Sequence, residues 1–495
     1  MLTALAVAAN GEFNYALDDA YIHLRMAENL TGGVLGINPG EFASASSSPI
    51  WSALLAMGVA IAGPKIGVPL VLAALAGVIT MWGVDRWSRS VDLSPYERLG
   101  VMVGMLVVVP LPLMAMLGME HVLQVATALL LVHLGVEVSN GRRGATLAWL
   151  AAAALLATSV RLEGAFVVLA IAVLMILRRR WDGLVALAAV AAPIVVVAAI
   201  NVGQGWPVVP ASVVAKSGLS ESGIARFLPA PHGEQFVRAP RLVIATFLCG
   251  LTWYLAHRAV SRAQRQRSRA WSMAFFIVFF LHYCYAQFGW LYRYEAYLVA
   301  LALFATALNV HDLVRAPLER RPSRVAWCAV AVLALIATVD GLGAYRNTLE
   351  STAAVHDQQL TMARFAAEAC PGCRVVANDI GALAFAGDVE VTDAVGLADV
   401  RVLEAKRDGT YDSTALDRFA TDDGAALAIV YAYPPWVPGV PLRWEPIGKW
   451  HYPDGFNAGG REVSFFSLDP ARTDELRAAF DEFDPGEIVT VEPAD

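Results

Sequence analysis

The chain has 495 residues, of which 57% are hydrophobic and only 16% charged, and its mean hydropathy is +0.53. Globular chains carry about 25% charged residues, so these values exclude an ordinary soluble enzyme and indicate a membrane class. The charge is divided unevenly: residues 345–495 hold 26 acidic and 12 basic side chains, leaving 25 basic and 18 acidic for residues 1–344. A basic membrane part is thus joined to an acidic part built for water.

At the start, only Leu2 to Ala9 is apolar before Asn10-Gly11-Glu12. A span needs about 20 residues, and the stretch lacks the basic leader of a signal peptide. A truncated first span, or a start upstream of Met1, is expected. Residues 10–65 then form a polar loop, with Asp18-Asp19 opening a helix over Ala20–Leu30 and a Gly/Asn/Pro/Ser-rich stretch leading to Ser47-Ser48-Pro49. Pro49 to Gly63 is too short to cross a bilayer and reads as an interfacial helix.

Ten candidate spans follow, at 66–83, 98–117, 120–138, 145–159, 164–177, 183–200, 241–257, 270–288, 295–310 and 325–342. Arginines concentrate in alternate connections: Arg86, Arg89 and Arg98; Arg142 and Arg143; Arg178 to Arg180; Arg258 to Arg269; Arg315 to Arg324. The intervening connections are poor in basic residues. By the positive-inside rule the basic set is cytoplasmic, so the Asp18-Asp19 loop and residues 345–495 share the outer face. That last part combines short apolar runs (Arg374 to Asp379, Ala425 to Tyr431) with helical patterns (Ala353 to Ala369, Thr473 to Phe480), which predicts an α/β domain. The expected architecture is a polytopic α-helical bundle of about 10–11 transmembrane helices, residues 1–344, followed by a soluble α/β domain, residues 345–495. Cys370-Pro-Gly-Cys373 suits a local disulfide in an oxidising compartment, and the same spacing occurs in thioredoxin-type redox sites.

The residues suited to chemistry gather at the outer mouths of the spans. Adjacent Asp18 and Asp19 lie about 100° apart on a helix, so one carboxylate is free to act as a base while the other caps the helix. Glu120, and Arg161 with Glu163, fall at two outer turns. Ionisable groups at membrane depth cost about 2.5–3.5 kcal/mol each on insertion scales, which favours paired or functional roles. Lys216 lies in the outer loop 201–240, and Arg293 sits among aromatics in Trp290-Leu-Tyr-Arg-Tyr294. Converging with Arg161, these cations would bind a phosphate. The histidines show no metal-ligand spacing, and there is no phosphate-binding glycine loop for a cytosolic nucleotide.

In order along the chain, Asp18-Asp-Ala-Tyr-Ile-His-Leu-Arg25, Asn38-Pro-Gly-Glu41, Ser47-Ser-Pro-Ile-Trp51, Leu117-Gly-Met-Glu120, Arg161-Leu-Glu-Gly164, Pro210 to Lys216, Asp379-Ile-Gly381 and Asp393-Ala-Val-Gly-Leu397 resemble the GT-C class of polytopic glycosyltransferases. The likeness is nearest to mycobacterial-type terminal arabinofuranosyltransferases and their bacterial relatives. It departs from them in the short first span and in the lack of a proline soon after Arg293.

The resemblance implies an inverting transfer of arabinofuranose, or another pentose or hexose, from a polyprenyl-phosphate donor. The acceptor would be a hydroxyl of a cell-envelope glycan or a protein, at the outer face of a bacterial inner membrane. Asp18 or Asp19 is then the base; Glu120, Glu163, Tyr21 and His23 orient the substrates; and Lys216, Arg161 and Arg293 hold the phosphate. No cofactor is required. The aspartate pair leaves room for a divalent cation without demanding one. The partners are the lipid-linked donor, the acceptor and the bilayer, with no nucleic acid. A flippase of lipid-linked sugars with an accessory domain is the alternative, disfavoured because the ionisable residues collect at one end rather than along a path. A non-catalytic envelope assembly protein is a second alternative.

Overall fold

A computed structural model describes residues 7, 10–178, 181–212, 214, 232–453 and 459–494. Among these, seven helices are long and apolar enough to cross a membrane: Gly67–Ser90, Pro95–Met116, His121–Ser139, Gly183–Gly203, Pro240–Ala259, Ala296–Val314 and Arg324–Ala369. Ala145–Val160, Gly164–Leu177 and Gln266–Tyr285 are the helices at the three remaining expected spans. The protein is thus a polytopic helical membrane protein with a sheet-containing C-terminal part, as expected.

Local chemistry sets the helix starts. Ser94 and Glu97 form a reciprocal capping box with Pro95 in the first turn, and Ser48 accepts from the Trp51 N–H to open Pro49–Ala62.

Contacts among helix ends and their connections mark the two ends of the bundle. At one, Arg143 pairs with Asp182 (2.9 Å), Gln266 bonds Asn140 (3.0 Å) and His311 meets Glu97 (3.0 Å). At the other, Ser44 bonds Asn201 (3.0 Å), Asn347 bonds Tyr292 (2.6 Å) and Arg293 pairs with Asp19 (2.5 Å).

Two helices overrun their expected limits. The span expected at 66–83 continues to Ser90, so Asp85, Arg86 and Arg89 ride on its last turns rather than in a loop; Asp85 there pairs with Arg89 and Arg98. The span expected at 325–342 continues through Val355, a π-helical turn at His356–Leu360 and Thr361–Ala369. The change of composition near residue 345 therefore falls inside one helix. Helical hydrogen bonds are local and do not stop where the solvent changes.

The C-terminal sheet has six strands: β1 (Arg374–Ala377), β2 (Glu390–Asp393), β3 (Leu427–Val430), β4 (Glu445–His451), β5 (Glu462–Ser467) and β6 (Thr490–Pro493), in the order β2-β1-β3-β5-β4-β6. β1, β2 and β3 are parallel, while β5, β4 and β6 continue antiparallel. Cys370 and Cys373 are joined across the turn before β1. The chain leaves β1 for β2 on one side and then crosses to β3 on the other, so the carboxyl ends of β1 to β3 form a topological switch point, where open α/β sheets place their ligands.

The Asp18-Asp19 loop packs against both parts. Tyr15, Tyr21, Leu24 and Met26 share one core with Phe365, Leu383, Trp450 and Phe465, whereas Ala16 and Ala27 of the same loop join the core built from the spans, which runs to Ala344.

Candidate active site

A cavity of about 460 Å³ opens where the Asp18-Asp19 loop, the mouth of the bundle and the switch point meet. Four carboxylates line it, Asp18 and Asp19 from the loop, Asp379 after β1 and Asp393 at the end of β2. Trp290, Leu291, Gln359 and Trp436 complete much of the wall.

The two loop aspartates are in different states. Asp18 sits at the N-cap of Asp19–Thr31 but makes no side-chain bond to that helix. Its carboxylate instead accepts the N–H groups of Gly381 and Ala382, both at 2.7 Å, and so caps the helix Gly381–Ala386 of the C-terminal domain. A capping role was expected for one of the two aspartates, and Asp18 caps a helix more than 350 residues away in sequence rather than its own. Burial, then the Asp379 charge, push the Asp18 carboxyl up to about 8 against the opposing pull of the two N–H bonds. Asp19 instead faces Arg293, Oδ2 to Nη2 at 2.5 Å, and its side chain keeps 31% of its exposure.

Arg293 is 1% exposed, and it also donates to the Tyr294 hydroxyl (3.1 Å) and Met119 Sδ (2.8 Å). The turn before it holds Trp290, Leu291 and Tyr292 all at positive φ (55°, 55° and 62°). Left-handed backbone costs non-glycine residues about 1–2 kcal/mol each, and here it carries Trp290 and Leu291 to the cavity wall and Arg293 to Asp19.

Arg161 and Glu120 are 4% and 0% exposed. Arg161 reaches Glu120 at 2.7 Å and Glu163 through two bonds of 3.2 and 2.7 Å, with its guanidinium 5.5 Å from the Tyr294 ring centre. His23 Nε2 lies 4.0 Å from Glu120 Oε2. Two carboxylates on one guanidinium leave no surplus positive charge for a phosphate, although Arg161 and Glu163 do line a second cavity of about 180 Å³.

Tyr21 points away from both cavities. It is fully buried against Tyr15 and Phe385, with its hydroxyl accepting the Tyr15 N–H at 3.2 Å. It anchors the loop and touches no substrate space. Lys216 lies outside the described residues. Asp18, Asp19 and Arg293 are therefore brought together at one cavity edge, and Glu120, Glu163, Arg161 and His23 form a buried cluster behind it. The Asp18–Asp19 pair does not fit a divalent cation, because both oxygens of Asp18 face N–H donors and Asp19 faces a guanidinium.

Sequence reasoning passed over Gln359 and gave Asp379 and Asp393 no separate role in the chemistry. Asp393 serves its own turn: Oδ1 and Oδ2 accept the N–H groups of Val395 (2.7 Å) and Ala398 (2.6 Å). Asp379 differs. Its Oδ2 accepts from the Tyr431 hydroxyl (2.6 Å) and Gln359 Nε2 (2.8 Å), and burial raises its carboxyl above the usual range. Its signals in the sequence were its position just past a short apolar run and its place in the motif Asp379-Ile-Gly381.

Among solved structures, ArnT from Cupriavidus metallidurans, a GT-C glycosyltransferase, aligns along almost the whole chain. With undecaprenyl phosphate bound it gives a TM-score of 0.55 at 12% identity, over 95% of this chain and 97% of that one. The apo state gives 0.55 at 13% identity, over 91% and 93%. The chain has the GT-C fold. The mycobacterial arabinofuranosyltransferase AftD also matches, at 14% identity over 94% of this chain and 41% of its own, with a TM-score of 0.44. A family model described as a domain of unknown function (DUF8728) covers residues 349–466. No curated protein matches the sequence. In the GT-C frame the 349–466 segment supplies the cavity's domain wall, from Ser351 to Gly459 apart from the loop and turn residues.

Proposed function

We propose that this protein is an inverting glycosyltransferase that moves a pentose or hexose from a polyprenyl-phosphate donor to an acceptor hydroxyl on the outer face of a bacterial inner membrane. The observation that carries the proposal is the Asp19–Arg293 pair at the edge of a cavity closed by the carboxyl ends of parallel strands. The whole-length likeness to ArnT, solved with undecaprenyl phosphate, supports a lipid-phosphate donor. Arabinofuranose remains the first sugar to try.

The chemistry needs a base, an anion clamp and a site poor in water. An acceptor hydroxyl is a weak nucleophile, so its proton passes to a carboxylate as its oxygen bonds the anomeric carbon. At the same time the bond from that carbon to the phosphate oxygen breaks, and its electron pair leaves with the lipid phosphate. Asp19 is the base in this scheme, since both oxygens of Asp18 are held by backbone N–H groups. Arg293, now neutralised by Asp19, exchanges that partner for the donor phosphate, which frees the base only once donor is bound. Lys216 is proposed as a second cation on the phosphate. Glu120 and Glu163 fix Arg161, and the three close the bundle beneath the site.

The test is transfer by purified full-length protein from a panel of polyprenyl-phosphate sugars. Asp19→Asn should lower turnover by about 10²–10⁴-fold while the fold is kept. A correctly folded wild type that transfers none of the sugars removes the enzyme proposal. An Asp19→Asn protein with full activity removes only the assignment of the base.

A further inference from the structure

We infer that the C-terminal wall of the cavity is a saccharide subsite, so that the acceptor is a glycan and not a protein hydroxyl. The inference rests on the glycosyl-transfer proposal and narrows it to one class of acceptor.

The wall carries two hydrogen-bond acceptors and one aromatic ring, and a second ring lines the cavity from the bundle side. Gln359 is 4% exposed and lines the cavity, yet its Oε1 has no partner among the described residues. Its Nε2 donates to Asp379 Oδ2, which fixes which end of the amide is which, because the reversed amide would set an oxygen against a carboxylate. Among the described residues, Asp379 receives its two hydrogen bonds through Oδ2. Behind the pair, Gln358 Oε1 lies 2.9 Å from the Tyr431 hydroxyl, which shares its one proton between Gln358 and Asp379, and Gln358 donates to the Gly460 carbonyl (2.6 Å), so the acceptors stand on a fixed base. The other domain carboxylate at the cavity, Asp393, is spent on backbone N–H groups.

Trp436 lines the same wall. Asn378 holds it in place by donating to the Trp436 carbonyl (3.1 Å) while accepting the Tyr431 N–H (2.7 Å), and the Tyr431 ring packs at 5.3 Å. Trp290, 60% exposed, lines the cavity from the bundle side. Adjacent acceptors suit a molecule with neighbouring O–H donors, and aromatic surface suits the C–H face of a sugar ring. A seryl or threonyl hydroxyl offers one donor, and its peptide needs partners for N–H groups and carbonyls together. The cavity, at about 460 Å³, falls within the usual range for small-ligand sites, and it lies at the carboxyl ends of the parallel strands.

The experiment has a binding arm and a transfer arm, both on the full-length protein in nanodiscs. Intrinsic tryptophan fluorescence is titrated with methyl pyranosides and furanosides in the absence of donor. Transfer is measured to oligosaccharide and to Ser/Thr peptide acceptors, with KM determined separately for donor and acceptor. Wild type should saturate with at least one glycoside. Gln359→Met should raise acceptor KM about 5–10-fold and Asp379→Asn about 10–100-fold, with donor KM within threefold. Trp436→Leu, which leaves the polar pair in place, should weaken glycoside binding as well and guards against a misfolded Asp379 variant. Saturable glycoside binding that these variants weaken, with no transfer of any sugar, supports the subsite and removes the transfer proposal. Transfer to peptides alone, or variants that leave acceptor KM unchanged, overturns the subsite while transfer stands.

Discussion

Asp18 and Asp19 are neighbours in sequence with opposite electrostatics. Asp18 holds two backbone N–H groups of another domain, and an Asn there would have only one oxygen to offer. Asp18→Asn should orphan one N–H and cost about 1–3 kcal/mol, read as a lower melting midpoint, and should reduce activity far less than Asp19→Asn. The carboxyl also gives a pH signature. Its folded value is raised, to about 8, so the folded state binds more protons than the unfolded chain between about pH 4 and pH 8. The contribution is fully present below about pH 4 and is lost as the pH rises through about 8. The melting midpoint of wild type should therefore carry a downward trend over this window that Asp18→Asn flattens. Arg293→Lys tests the clamp. Lysine keeps the charge but not the fork that spans Asp19, Tyr294 and Met119, so turnover should fall with donor affinity.

At the scale of elements, two close approaches hold the architecture. A Cβ on Gly341 would lie 2.2 Å from the Val107 carbonyl oxygen, so the helix Arg324–Val355 can pack on Pro95–Val107 only with glycine there. Gly341→Ala should destabilise by about 1–3 kcal/mol in a detergent melt. A Cβ on Gly381 would lie 2.3 Å from the Asp18 backbone oxygen. Gly381→Ala should therefore lift the Asp18-Asp19 loop off the domain, which a crosslink between cysteines placed at Leu17 and Ile380 would report as a loss of yield. The long helix from Arg324 to Ala369 links the two parts directly, since one helix serves as both the last span and the first element of the domain.

For the whole molecule, the opposed ends give a topology experiment. Arg320 lies among the arginine-rich connections and Leu442 is a fully exposed residue of the C-terminal domain. In intact cells, a cysteine at Leu442 should react with a membrane-impermeant maleimide, and a cysteine at Arg320 only after the membrane is opened. The reverse pattern would turn the cavity to the cytoplasm and remove the lipid-phosphate donor from the proposed face.

The membrane class, the ten helical segments, the two opposed sets of connections and the α/β character of the last part were legible in the sequence. Hydropathy and charge are summed over many residues and survive local exceptions. Asp19 and Arg293 were legible as candidates because ionisable residues at the outer span mouths are few. The tertiary structure alone decided their partners. It turned the Asp18 carboxylate toward Gly381 and Ala382, committed Arg161 to Glu120 and Glu163, and buried Tyr21 in the core shared by the loop and the domain. It also brought Gln359 and Asp379 to the same cavity as the loop pair. The physical reason is distance along the chain: Asp18 meets residues more than 350 positions later, and no periodicity or spacing records which of many carboxylates will find a given donor across such a gap.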